Sequence, residues 1–131
     1  MSVSFSEVTV GGPYSRNNLA DLWGYASYHA IARGVVTPRD DNKIVLFVTE
    51  QKQKSGTPYA DRLVGQVLHW EGPNDHFAEE RMVGVSTSGD EIHLFYRSRH
   101  HSDFVYMGQG AVLGYVQNTS SPSRFKLKIS T

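Results

Sequence analysis

The stretch KIVLFVTE, residues 43–50, constrains the fold more than any other part of this chain. It is an unbroken apolar run, rich in β-branched residues, preceded by the polar turn RDDN. Eight residues are short for a helix, and the composition favours a strand. With no alternating polar positions, that strand is expected to be buried. The rest of the chain must then supply the layers that cover it.

The flanking segments read as further strands with little helix. SEVTVGGPY suggests a short strand closed by Gly11, Gly12 and Pro13. SRNNLADLWGY suggests a helix with Ser15 as N-cap, Leu19, Leu22 and Trp23 on its inner face, and Gly24 as its stop. A second short helix or an irregular segment is expected within SYHAIARG, and VVTP reads as extended because of Pro38. LVGQVLHWEG reads as one strand. NDHFAEERMVGVS holds room for a short helix capped by Asn74 or Asp75. Residues 91–99 read as a strand, DFVYMGQGAVLGYV as one or two more broken by Gly108, Gly110 and Gly114, and SRFKLKI as the last. QNTSSPS reads as a loop. The expected fold is α+β: a twisted, partly closed, mostly antiparallel sheet with one or two short N-terminal helices packed against it. At 131 residues, a single domain over 1–131 is expected, large enough for its own core.

Charge and cysteine content narrow the chemistry. Thirteen acids balance thirteen Lys and Arg residues, so any electrostatic function must come from local placement. With no cysteine, disulfides, thiol nucleophiles and Cys-based metal sites are excluded. The N-terminal sequence has no secretory-signal pattern, and no apolar run reaches membrane-spanning length, so a cytoplasmic setting is expected.

Two stretches concentrate functional side chains. In EIHLFYRSRHHS, period-two alternation puts Ile92, Leu94 and Tyr96 on one face. Glu91, His93, Phe95, Arg97 and Arg99 fall on the other, joined by His101 if the strand continues, so that face ends in a cationic stripe, with His100 and Ser102 beside it. SRFKLKI repeats the pattern, with Arg124, Lys126 and Lys128 on one face. The stripe fits either a solvated outer face or an anion-contacting one. Adjacent histidines on a strand point opposite ways, and no metal-binding histidine spacing occurs, which argues against a metal. In GYASYHAIARG, Tyr25, Tyr28, His29 and Arg33 lie among the small residues Ala26, Ser27, Ala30 and Ala32. They suit either a ligand cavity or plain packing under the sheet. The loop bearing Thr57, Pro58, Tyr59 and Arg62 is a weaker contact candidate. Asp40, Asp41, Glu50 and Lys52 resemble the acid and ExK of a metal-dependent nuclease, but acid–x–Lys triplets after strands are common and Asp40–Asn42 reads well as a turn.

Taken in order, YSRNNLADLWGYASYHAIARGVVTP, KIVLFVTEQKQ, YADRL, LHWEG and GDEIHLFYRSRHHSDFVYMG resemble a bacterial domain fused to HNH endonucleases. A related domain sits at the C-termini of DEAD/DEAH helicases. The resemblance covers about residues 14–113. Domains of this kind are similar to the DNA sulfur-binding domains of type IV, modification-dependent restriction enzymes, which read phosphorothioate-modified double-stranded DNA. The resemblance implies a bacterial, nucleoid-associated, non-enzymatic module without cofactor, acting with or fused to a nuclease. It implies an apolar sulfur cavity formed by Tyr25, Ala26, Tyr28, His29 and Ala30. Arg33, Arg97, Arg99, His100, His101 and Ser102 would hold phosphate, and Thr57, Pro58, Tyr59 and Arg62 would contact bases in a groove. Three alternatives stay open: a reader of a modified base, a metal-dependent nuclease using Asp41, Glu50 and Lys52, and a protein-interaction module favoured by the zero net charge.

Overall fold

The computed structural model describes residues 3–38, 41–51, 62–73, 75–99, 102–118 and 123–130. It is an α+β fold built on one open, mixed sheet. The strands are β1 (Pro13–Tyr14), β2 (Val35–Val36), β3 (Lys43–Gln51), β4 (Arg62–Val64), β5 (Val67–Glu71), β6 (Glu91–Arg99), β7 (Phe104–Val116) and β8 (Arg124–Ser130). Their order is β2-β3-β6-β7-β8-β5-β4, with β1 added to β7. All neighbours are antiparallel except β3 and β6, which run parallel from Lys43↔Glu91 to Gln51↔Arg99. Among the described residues there are also three short helices: α1 (Arg16–Leu22), α2 (Glu79–Val83) and α3 (Val85–Ser88). A 3-10 turn covers Tyr28–Ile31, where the sequence suggests a second short helix or an irregular segment.

The unbroken apolar run of β3 is explained by two cores, one on each face of the sheet. Ile44, Leu46 and Val48 enter the first core with Ile92, Leu94, Leu68, Trp70, Phe125, Leu127 and Ile129, closed by Met82 of α2 and Val85 of α3. Val45 and Phe47 enter the second with Phe95, Phe104 and Tyr106. That core is closed by Val3 and Val8 of the N-terminal segment and by Leu19, Ala20 and Trp23 around α1. A parallel pair is normally buried on both sides, and β3 and β6 follow that rule. The polar face expected for β6 is therefore corrected: parity holds, but His93 and Phe95 lie under the N-terminal segment, and the face opens to solvent only toward Arg97 and Arg99. In β8 the alternation survives intact, with Phe125, Leu127 and Ile129 buried and Arg124, Lys126 and Lys128 exposed.

Local sequence explains most boundaries. The Ser15 hydroxyl accepts from Asn18 N at 3.0 Å while the Asn18 side chain accepts from Ser15 N at 3.1 Å, a complete capping box. On α1, Leu19 and Trp23 are buried as expected, whereas Leu22 is exposed and Ala20 takes its place. Four expectations change. Only Pro13–Tyr14 of the first segment is a strand. LVGQVLHWEG is a hairpin, β4 to β5, turning at Gly65, whose φ of 60° favours glycine. Residues 104–116 form one long strand. Its glycines accommodate register shifts rather than breaks: the ladder with β6 skips a residue at Met107, beside Gly108 with φ 111°. Finally, α2 starts after Ala78, which has φ 62° and no side-chain cap, while Asp75 accepts from Phe77 N at 3.1 Å. Asn74, the other expected cap, lies outside the described residues. Among the described residues, no helix is long and apolar enough to cross a membrane.

Candidate nucleic-acid interface

Because β3 and β6 are parallel, their C-terminal ends lie side by side, and the link from β6 into β7 starts there. Thr49 on β3 pairs directly with Arg97 on β6. The Arg97 guanidinium donates from Nε to the Thr49 hydroxyl at 2.8 Å and from Nη1 to the Ser102 carbonyl at 3.0 Å. It lies 4.2 Å over the Phe104 ring. Ser102 in turn donates its hydroxyl to the Arg99 carbonyl at 2.6 Å, tightening the turn between the strands.

A second arginine reaches the same place from α1. Arg16 donates from Nε to the Ile31 carbonyl at 3.0 Å and from Nη2 to the Arg33 carbonyl at 3.2 Å. Its guanidinium stacks 4.7 Å over Phe47 and 5.0 Å over Phe104. Arg16 thus anchors the 3-10 turn to the sheet and shares Phe104 with Arg97. No described carboxylate forms an ion pair with either. Burial first, and then the nearby Arg97 charge, bring the Arg16 pKa down to about 10; burial also lowers that of Arg97.

The 3-10 turn faces outward beside this pair. Tyr28 is 39% exposed and stacks on His29 at 4.2 Å. Ala26 and Ala30 are exposed as well, whereas Tyr25 packs against the second core. Burial pushes the Tyr25 pKa up, with a further contribution from Asp41. Arg33 turns the other way: it pairs with Asp75 at 3.0 Å and lies 4.2 Å over Phe77. Phe77 lines a small cleft with Trp70, Phe125, His76, Glu79 and Ser123. Glu79 accepts from Ser123 and from His76 at 2.7 Å, and those bonds, the Ser123 one foremost, hold its carboxyl below the usual range. Both His76 (φ 59°) and Ala78 (φ 62°) are left-handed, a costly conformation for non-glycine residues.

Through Arg16 and the shared Phe104 ring, the structure links Arg97 to the Ile31 and Arg33 carbonyls at the end of the turn that carries Tyr28, His29 and Ala30, while Arg99 and Ser102 stand beside Arg97 at the strand end. Arg99 and Ser102 are exposed. His100, His101, Thr57, Pro58 and Tyr59 lie outside the described residues, and Arg62 opens β4 with its side chain outside them. Arg16 escapes sequence reasoning altogether. Its one local signal is a long cation directly after an N-cap serine, where an acidic residue is the favoured first-turn choice.

Two other clusters separate from this site. Asp41 lies just before β3 and Glu50 near its far end, and the strand between them spans about 23 Å from Lys43 to Glu50 at strand rise, so they cannot ligate one metal ion. Asp41 instead accepts from Val3 N at 2.6 Å, and Glu50 accepts from the Tyr96 hydroxyl at 2.5 Å. Lys52 and Asp40 lie outside the described residues. His93 is 5% exposed and stacked on Phe5 at 3.7 Å. Its Nε2 bonds Glu91 at 3.0 Å and its Nδ1 the Tyr106 hydroxyl at 2.7 Å. A carboxylate only accepts, so Nε2 carries the proton and Nδ1 accepts from Tyr106. Burial raises the Tyr106 pKa to about 12, helped by the Glu91 charge.

Burial also lowers the His93 pKa, against the opposing pull of Glu91. The native state then binds fewer protons than the unfolded chain as pH falls below the ordinary histidine range near 6.5. The contribution of neutral His93 is complete above that range and is lost on acidification. Thermal unfolding should show Tm falling between pH 7 and 5, and His93→Gln should flatten that dependence. An unchanged slope in the variant would remove His93 as its source.

The fold is shared with the SUVH5 SRA domain, solved in complex with hemi-methylated CG DNA (TM-score 0.65, 17% identity) and with fully methylated CG DNA (TM-score 0.63, 18% identity). Each alignment covers 99% of this chain and 94% of that one. Among curated proteins, none matches the chain. The family model described as a domain of unknown function, DUF3427, matches residues 8–129, and the chain belongs to that family.

Proposed function

We propose that this chain is a reader of modified double-stranded DNA and that the modification it reads is carried by a base. The likeness along nearly the whole chain to the SUVH5 SRA domain, solved on methylated CG DNA, carries this reading. The site adds what DNA binding requires: despite zero net charge, Arg16, Arg97 and Arg99 gather at one end of the sheet beside an exposed Tyr28–His29 stack. Cations there hold the backbone, while aromatic and polar side chains meet base edges. The chain acts as a binding module, and its effector is a nuclease or helicase supplied by the same or another polypeptide.

The phosphorothioate reading stands second, favoured by one observation. The arginine pair is stacked on two phenylalanine rings, so an anion held by the free edges of the guanidiniums would have apolar, polarizable neighbours, which suit sulfur better than oxygen. One titration compares both. Duplexes of one sequence, unmodified, 5-methylcytosine, 5-hydroxymethylcytosine and phosphorothioate, are bound at fixed salt. The base reading expects a modified-base duplex to bind roughly 10- to 100-fold more tightly than the unmodified one. A preference confined to the phosphorothioate duplex would replace it with the second reading. Equal affinity for all four would sink both.

A further inference from the structure

We infer that Arg16 and Arg97 form one seat for a single phosphate of the DNA backbone, gripped between two guanidiniums over the rings of Phe47 and Phe104. The inference rests on the DNA-reading role and assigns its central anion contact. Among the described residues, each guanidinium is fixed in place by neutral acceptors: the Ile31 and Arg33 carbonyls for Arg16, the Thr49 hydroxyl and Ser102 carbonyl for Arg97. These bonds use Nε and one terminal nitrogen of each group. The other terminal nitrogens, Nη1 of Arg16 and Nη2 of Arg97, have no protein acceptor among the described residues. Both guanidiniums lie against the one Phe104 ring, at 5.0 and 4.2 Å from its centre, and the inferred seat places one tetrahedral anion between their free nitrogens.

Two like charges brought together in a half-buried site repel each other, and no described acid offsets them. An oxyanion that bridges them cancels that repulsion and takes up the spare donors. Pre-fixing by carbonyls and aromatic stacking means that little side-chain freedom is lost on binding. The seat is assembled by α1, β3, β6 and the start of β7, so its occupancy should also stabilise the fold.

The test compares wild type with Arg97→Gln and Arg16→Lys, each checked for native near-UV circular dichroism. Melting is followed in inorganic phosphate and in sodium chloride of equal ionic strength. Wild type should gain roughly 4–6 °C in Tm at phosphate ten times its Kd. Arg97→Gln should lose most of that gain. Arg16→Lys keeps one charge but not the planar fork, and should lose part of it. If Arg16→Lys does not fold, Arg97→Gln decides alone. The second arm measures duplex affinity against salt, where Arg97→Gln should flatten the log–log slope by about one unit. A wild-type Tm that phosphate raises no more than chloride, or an unchanged slope in Arg97→Gln, overturns the seat. A phosphate response without slope change marks a site for free oxyanion and overturns the backbone assignment. Failure of the seat is separable from failure of the reading. Wild type that prefers a modified duplex while Arg97→Gln binds with the same slope keeps the reading and loses the seat. Phosphate binding and a changed slope without discrimination between duplexes do the reverse.

Discussion

Replacing Phe95 with alanine should cost about 3–5 kcal/mol, the largest single effect expected in this chain. Phe95 is 0% exposed at the centre of the second core. Its ring meets those of Phe47 at 5.2 Å, Tyr106 at 5.1 Å, and Phe5, Trp23 and Tyr14 at just over 6 Å. Truncation removes the buried ring and leaves a void bounded by other rings, which cannot collapse without moving strands. It also loosens Phe47, the floor under Arg16. Urea unfolding followed by tryptophan fluorescence should show the midpoint falling by roughly 1.5–2.5 M with little change in slope. Phe95→Leu, which refills much of the volume, should cost about 1.5 kcal/mol. A loss below about 1 kcal/mol for Phe95→Ala would mean that the second core does not depend on this ring.

Arg97→Ala should weaken binding to a modified duplex roughly 10- to 100-fold at physiological salt, the range for one lost charge-assisted contact. The guanidinium is fixed by Thr49, Ser102 and Phe104, so it is already ordered before DNA arrives. The loss should fall on modified and unmodified duplexes alike, because a phosphate contact positions the protein without reading sequence. Arg97→Lys should recover only part of it, since a point charge cannot hold both protein acceptors and a phosphate in one plane. Fluorescence anisotropy with the two duplexes measures both quantities. Affinity unchanged within twofold would detach Arg97 from DNA. A loss confined to the modified duplex would instead make Arg97 part of the recognition of the mark.

How legible each part was follows from the range of the physics behind it. Ser15 and Asn18 form the capping box within four residues, so local sequence suffices. In β8 the parity of Phe125, Leu127 and Ile129 against Arg124, Lys126 and Lys128 is a property of the pleat. The same parity in β6 is correct but incomplete. Alternation says which residues share a face, not whether another layer covers it. His93 and Phe95 look like the start of a solvated stripe until Val3, Phe5 and Trp23 close over them. The glycines of β7 misled for a related reason. Gly108 and Gly110 look like strand breakers, yet a bulge needs one, and close packing against Ile129, 3.0 Å from a Cβ built on Gly110, needs the other.

By itself, the sequence determined the buried strand at 43–50, the helix cap at Ser15, the α+β class and the two stretches that carry cations and aromatics. These depend on neighbours along the chain and on hydrophobic content. Only the tertiary structure decided that β3 and β6 run parallel, that both their faces are covered, and that Arg16 stands with Arg97 over Phe104. It also separated Asp41 from Glu50 by the length of a strand, which no count of intervening residues reveals until that segment is known to be extended. Like charges are brought together only by the packing of distant segments, and that packing made the arginine pair visible.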